Sequence, residues 1–216
     1  MDPSGDDGRG ALTGTGLSCG SCGTELSQNS KFCNECGAPV KQVSRSAEYK
    51  QVTVLFADVV RSMDIAAAVG AERLREIMTE LVGRGAAVVQ RYGGTMEKFT
   101  GDGLMALFGA PVALEDHAIR ACLAALDIQA EAGHLAAEVQ RLDKISLRLR
   151  VGLNSGRVVA GEMGSGVTGY AAIGETVGYA QRMESVGPHG GVMLSEATGL
   201  LVASARSLPG WTETLR

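Results

Sequence analysis

The sequence predicts an α+β protein whose main domain runs βαββαβ behind a small cysteine-rich module. Three observations predict it. Apolar positions switch between the strand period and the helix period in that order. A Gly101-Asp102-Gly103 turn joins two short apolar runs, a hairpin signal. Four of the five cysteines fall between Cys19 and Cys36, ahead of everything else.

Each element has its own local reason. Val52 to Ala57 is an unbroken apolar run, the pattern of a strand buried on both faces. A helix follows, with Leu74, Ile77, Met78, Leu81, Val82, Val88 and Val89 on one broad face, and Gly93-Gly94 ends it. Thr95–Thr100 and Leu104–Phe108 form the hairpin. A second helix spans about Glu115 to Arg141, with Ile119, Cys122, Leu123, Leu126 and Ala130 turned inward. Leu147, Leu149, Val151 and Leu153 alternate with Arg148, Arg150 and Gly152, as in a half-buried strand. This order is the ferredoxin-like split unit. Further strands are expected near Arg157–Glu162, Thr168–Ile173 and Gly191–Leu194, with a helix near Glu175–Glu184. Ser204–Arg216 shows no strand pattern.

Composition narrows the function classes. The 216 residues carry 20 Lys+Arg against 24 Asp+Glu, a net charge of -4, which argues against a nucleic-acid partner. With 45% hydrophobic residues the chain is not disordered as a whole. Aromatics are only 4%, so the core is expected from Ala, Val, Leu, Ile and Met. The 30 glycines are about twice the usual share, a sign of tight turns or close backbone approach. No apolar run has the length of a membrane span, and the acidic start does not read as a signal peptide. A cytoplasmic, reducing location is therefore expected. The organisation reads as a disordered tail at 1–16, the cysteine module at 17–40, a linker at 41–48, the main domain at 49–204 and an irregular tail at 205–216.

Cys19-Gly20-Ser21-Cys22 and Cys33-Asn34-Glu35-Cys36 are two CxxC knuckles ten residues apart. Four thiolates are the closed tetrahedral set of a structural zinc, and so short a segment needs the metal to fold. Gly23 and Gly37 follow the knuckles, where the turn needs a residue without Cβ strain. The segment resembles a zinc ribbon. Cys122 reads as plain core.

The βαββαβ unit usually has strand order 4-1-3-2. The end of its first strand then lies beside the start of its third. Asp58 ends the first strand and Asp102 opens the third, so the fold brings two acids to one edge. Adjacent carboxylates repel unless a cation or a proton intervenes. Oxygen donors suit Mg²⁺ or Mn²⁺, and a pair of such ions can activate a hydroxyl and steady a leaving phosphate. Asp102 alone also fits an ordinary hairpin turn; the pairing with Asp58 favours the metal site.

At this point the residues resemble a family. Val54 to Met63 (V-L-F-A-D-V-V-R-S-M) resembles the first metal motif of class III nucleotide cyclases, and Glu97 to Gly103 (E-K-F-T-G-D-G) the second. Arg150 to Gly156 (R-V-G-L-N-S-G) looks like the strand-turn motif that follows, and Ile173 to Met183 (I-G-E-T-V-G-Y-A-Q-R-M) like the last catalytic helix. The matches span roughly residues 49–200. The resemblance implies cyclisation of ATP with release of pyrophosphate. Asp58, Asp102 and the Val59 carbonyl would hold two Mg²⁺ or Mn²⁺ ions per site. Lys98 would read adenine, and Arg182 would stabilise the transferring phosphate. A head-to-tail homodimer with shared sites is implied as well.

The resemblance breaks at named positions. Gly178 stands where the family carries a transition-state Asn, and Ala171 where its second base-reading residue is Asp or Thr. Arg61 and Met63 replace the usual Gly and Thr, and the family's late phosphate-binding Lys has no counterpart, Lys144 being the last lysine. Two readings therefore stand side by side: a working adenylate cyclase, and a cyclase-like domain with little turnover that dimerises or senses nucleotide. A zinc-ribbon adaptor is a third. His117, His134 and His189 read as surface residues, Arg148 and Arg150 as a solvated strand face, and Met78 and Met105 as filler. Gly161, Gly164, Gly166 and Gly169 read as a flexible hairpin turn.

Overall fold

The computed structural model describes residues 17–27, 30–39, 48–99, 103–163 and 169–205. The stretches read as an N-terminal tail, as most of the linker and as the C-terminal tail from Arg206 onward lie outside these, as do Gly164 and Gly166. The chain divides into two compact units at residues 44 and 45.

The first unit is a two-stranded antiparallel ribbon, β1 (Leu17–Ser18) with β2 (Glu25–Leu26). Each knuckle closes on itself: the Gly23 N–H donates to the Cys19 carbonyl at 2.8 Å, and the Gly37 N–H to the Cys33 carbonyl at 3.0 Å. Gly23 and Gly37 hold φ of 77° and 68°, which explains the glycine after each pair. Cys19, Leu26 and Cys33 make up a three-residue core. That is too little to fold such a segment without a further tie.

The second unit contains β3 (Glu48–Val59), α1 (Ser62–Val69), α2 (Ala71–Arg91), β4 (Thr95–Phe99), β5 (Gly103–Phe108), α3 (His117–Asp143), β6 (Leu149–Met163), β7 (Gly169–Ile173), α4 (Glu175–Val186), β8 (Val192–Leu194) and α5 (Glu196–Ala205). The sheet order is β4-β5-β3-β6-β7, with β8 parallel to β6. Numbered within the split unit, this is the expected 4-1-3-2 arrangement. The central strand explains its own sequence. Leu55, Ala57 and Val59 face one core with Ile77, Leu81 and Val88 of α2 and with Ala121, Ala125 and Ile128 of α3. Val52, Val54 and Phe56 face the other, with Met105, Leu107 and Ala180 of α4. A strand covered on both sides has no polar alternation to show. Each buried Val, Leu, Ile, Met or Phe side chain among these contributes about 1.5–3 kcal/mol.

The structure corrects several expectations. The expected helix with its face from Leu74 to Val89 is α2, and a short helix that was not expected, α1, precedes it, set off by Gly70 at φ 87°. The two strands expected around Leu149 and Arg157 are one strand of 15 residues. The polar stretch between them reads as a turn, yet it is satisfied inside the sheet. Asn154 Nδ2 donates to the Thr176 carbonyl at 2.9 Å, and Ser155 Oγ lies 2.7 Å from Thr53 Oγ1. Helix α5 carries no clear period, since its Leu200 and Leu201 stay exposed; the Thr198 N–H donates to Ser195 Oγ at its start. His117 is not on the surface. It is 6% exposed, with Nδ1 2.7 Å from Thr53 Oγ1. Leu126 and Ala130 are exposed rather than inward. Cys122, Met78 and Met105 are core, as expected. Among the described residues, no helix is long and apolar enough to cross a membrane.

Candidate active site

The site lies where β3 ends. Position 58 continues the parity of Val52, Val54 and Phe56, so Asp58 shares the α4 face of the sheet. It is half-buried, and its Oδ1 is buried. Its register partner on one side is Gly103, the first residue of β5. Asp102 directly precedes Gly103 in the chain and lies outside the described residues. The backbone thus brings Asp58 and Gly103 side by side at one edge, as the strand order predicts. Val59 is buried and pairs with Leu149, and the Val60 N–H donates to the Arg148 carbonyl at 2.9 Å. Just beyond this edge opens a cleft of about 440 Å³, lined by Val60, Arg61, Asp64, Arg148 and His189 among others.

On its other side Asp58 pairs with Arg150 of β6. This guanidinium is not the solvated group the alternating pattern suggests. Its Nε lies 3.0 Å from Oε1 of the buried Glu184, and Nη1 donates to the Ser185 carbonyl at 3.1 Å. Arg150 thus ties the end of α4 to the edge that carries Asp58. The signal that could have found it is the register itself, which sets position 150 opposite Asp58. Helix α4 comes very close here. A Cβ on Gly152 would run into the Glu184 backbone, so this glycine is the contact that lets the helix sit on the sheet.

The remaining residues fall in two groups. Lys98 is on β4, in register with Met105, and Ala171 is on β7, in register with Gly161. Gly178 and Arg182 are one turn apart on α4, hence on one face of it. Arg182 is exposed, and its guanidinium lies over the Tyr179 ring at 4.2 Å. A Cβ at Gly178 would meet nothing within 4 Å. Arg61 sits at φ 55°, ψ 46° at the entry to α1, a left-handed conformation that costs an L residue about 1–2 kcal/mol. A glycine would take that position without strain. The Arg61 side chain points to solvent, with Nε 4.0 Å from Asp64.

In the first unit the four Sγ atoms of Cys19, Cys22, Cys33 and Cys36 all lie within 4.8 Å of one another. Cys19–Cys36 and Cys22–Cys33 are 3.6 and 3.5 Å apart. A tetrahedral zinc at 2.3 Å from each sulfur requires roughly 3.8 Å between sulfurs, so the donor set fits that ion. The Cys22 thiol is lowered to about 6, chiefly by hydrogen bonding to the Thr24 hydroxyl and backbone. Cys36 is raised to about 11: the Ala38 backbone lowers it, but burial and the neighbouring thiols Cys22, Cys19 and Cys33 outweigh that. Cys122, in the main core, is raised to about 11 by burial and stays a thiol.

Comparison with known proteins agrees with this geometry. Residues 44–208 match the model of the adenylate and guanylate cyclase catalytic domain, and residues 18–40 match a zinc-ribbon domain. The chain is 30% identical over 154 residues to the receptor-type guanylate cyclase gcy-19 of Caenorhabditis briggsae, covering 71% of this chain and 13% of that protein. It is 30% identical over 167 residues to adenylate cyclase 1 of Rhizobium meliloti, covering 76% of this chain and 25% of that protein. The chain therefore spans a quarter or less of these relatives. Among solved structures, the guanylyl cyclase Cya2 superposes with a TM-score of 0.69 at 29% identity, covering 72% of this chain and 80% of that one.

Proposed function

We propose, from the premise that this chain belongs to the adenylate and guanylate cyclase catalytic-domain family and carries a zinc ribbon in front of it, that it converts ATP to 3′,5′-cyclic AMP and pyrophosphate. The observation that supports this reading is the pairing of Asp58 with Gly103, the residue that follows Asp102 in the chain. Asp58, Asp102 and the Val59 carbonyl form an all-oxygen donor set suited to Mg²⁺ or Mn²⁺, which would supply Lewis-acid activation of the ribose hydroxyl and charge neutralisation at the phosphates.

The chain's own residues do the rest. Lys98 donates to the purine ring, and an ammonium there favours adenine over guanine. Arg182 meets charge as it builds on the α-phosphoryl oxygens, a contact made most strongly in the transition state. Its resting place over Tyr179 is weak enough to leave. The 3′-hydroxyl of the ribose gives up its proton to solvent as its oxygen bonds to the α-phosphorus, and the bond to the bridging oxygen of pyrophosphate breaks. Arg182 and Lys98 act on a site whose acids belong to a second copy, so the working form is a homodimer. The ribbon binds one structural Zn²⁺ through Cys19, Cys22, Cys33 and Cys36, and the chain works in the cytoplasm. The division into tail, ribbon, linker and cyclase domain follows the boundaries given above.

Gly178 favours a second reading, a cyclase of low turnover that serves mainly as a dimerising or nucleotide-sensing module, because the position has no side chain to donate. The experiment that tests the first reading is a mass-resolved assay of purified protein with Mn²⁺ and either ATP or GTP. Cyclic AMP formed faster than cyclic GMP supports it. Preferential cyclic GMP overturns the ATP assignment, and no cyclic product from either leaves the second reading.

A further inference from the structure

Strands β4 and β7 stand at opposite ends of the sheet order, with three strands between them. In a flat sheet they would be about 19 Å apart, four strand spacings. Yet a side chain reaches from one to the other. Glu97 Oε1 accepts a hydrogen bond from the Ala172 N–H at 3.1 Å, and its second oxygen, Oε2, is buried too. The sheet has therefore curled until its ends meet, and Glu97 bonds across the gap.

The local backbone explains why Glu97 can reach. The β4–β5 register runs Met96 with Ala106 and then Lys98 with Met105, so Glu97 is the extra residue of a β-bulge. A bulge re-aims the residue it adds. Without it, Glu97 would take its turn in the ordinary alternation between faces. The bond also lands at a particular place. Glu97 is the neighbour of Lys98, and Ala172 is the neighbour of Ala171. These are the two positions that would face the purine.

We infer that Glu97 is a positioning residue for the nucleotide base: its carboxylate fixes the distance between the two strands that carry the base-reading positions 98 and 171, and so sets purine affinity and discrimination. The inference rests on the nucleotide-binding reading above. Within this chain the second reader is Ala171, which has no polar atom to offer. Discrimination then depends on how closely one cation is held to the base, and a wall that can open would lose it.

The test compares wild type, Glu97→Ala and Glu97→Gln, each checked for folding by circular dichroism. Binding of ribose-labelled fluorescent ATP and GTP is titrated with Mn²⁺ present, alongside KM and kcat for cyclic product. Removing the acceptor from a buried N–H is expected to weaken ATP binding about tenfold and to bring the ATP:GTP ratio close to one. The kcat should change much less. Glutamine keeps an acceptor oxygen and should stay within about threefold of wild type on every readout. If the alanine variant does not fold, Glu97→Asp carries the same test, since it shortens the reach by one methylene. Unchanged affinity and ratio in the variant would overturn the inference, as would a Gln variant as impaired as Ala, because charge and not the strand tie would then matter. Binding without turnover in wild type would defeat the cyclase reading alone and leave this inference to the binding ratios. A wild-type chain that binds neither nucleotide would defeat both.

Discussion

Changing Gly178 to Asn is the perturbation that separates an impaired cyclase from a domain that has lost the chemistry altogether. The structure permits the change. Position 178 lies within α4, and a Cβ there meets no atom within 4 Å. Its stability effect is small: glycine is about 0.3 kcal/mol worse than asparagine inside a helix, so the variant should be as stable or slightly more so. The catalytic effect is large by comparison. The new amide sits one turn before Arg182, on the same face, and can donate to the same phosphoryl oxygens. Removing one such donor from an enzyme commonly costs about 10²–10³ in rate, so supplying it to an otherwise complete site should raise kcat by about that factor. KM for ATP should move by less than about threefold, since the contact belongs to the transition state and not the ground state. The assay is cyclic AMP formation at saturating Mn²⁺·ATP. A folded Gly178→Asn variant with unchanged kcat would refute the reasoning, because either α4 does not reach the phosphates or another part of the site is broken.

Arg61→Gly should raise the melting temperature by about 2 °C, because a strain of about 1–2 kcal/mol is relieved while the greater freedom of glycine in the unfolded chain offsets part of it; an unchanged or lower value contradicts the left-handed backbone at 61. Gly152→Ala should lower it by roughly 6–12 °C, as a methyl cannot share the space of the Glu184 backbone, and differential scanning calorimetry reads the shift. Burial lowers the His117 pKa in the folded state, with Asp116 opposing. The unfolded chain then binds the proton more readily, so stability is full above about pH 6.5 and falls as the pH drops below it. Urea titrations at pH 7.5 and 5.5 should show that loss in wild type and less of it in His117→Asn. Chelation by a strong zinc ligand, or Cys33→Ser, should unfold the ribbon as seen by proteolysis between residues 17 and 40, while the melting of the second unit stays within a degree or two; a ribbon that resists both argues against a metal there.

Much of the fold was legible because two periods alternate in one order. The apolar run of β3 and the broad face of α2 leave few other architectures, and the 4-1-3-2 order then forces Asp58 beside the start of β5. What stayed hidden did so for physical reasons. Helix α1 has only eight residues, too few to show a period of its own, so it stayed hidden ahead of α2. Asn154 and Ser155 look like turn residues until Thr176 and Thr53 are brought to them from elsewhere in the chain. His117 reads as a surface residue because its partner Thr53 is 64 residues away. Arg150 alternates with leucines as a solvated residue would; only the register with Asp58 and the proximity of Glu184 reveal its place. Glu97 belongs to the same class, since a bulge cannot be read from one strand alone. The cysteine cluster was legible in full, because spacing by itself constrains a knuckle.

The acid that ends β3 is the group the proposed chemistry needs most, and one comparison tests it most directly. Wild type and Asp58→Ala are assayed for cyclic AMP from ATP with Mn²⁺, at matched folding and oligomeric state. Product from wild type and none above background from Asp58→Ala is the predicted result. Equal product from both would contradict the account, since the edge where β3 meets β5 would then have no part in the chemistry.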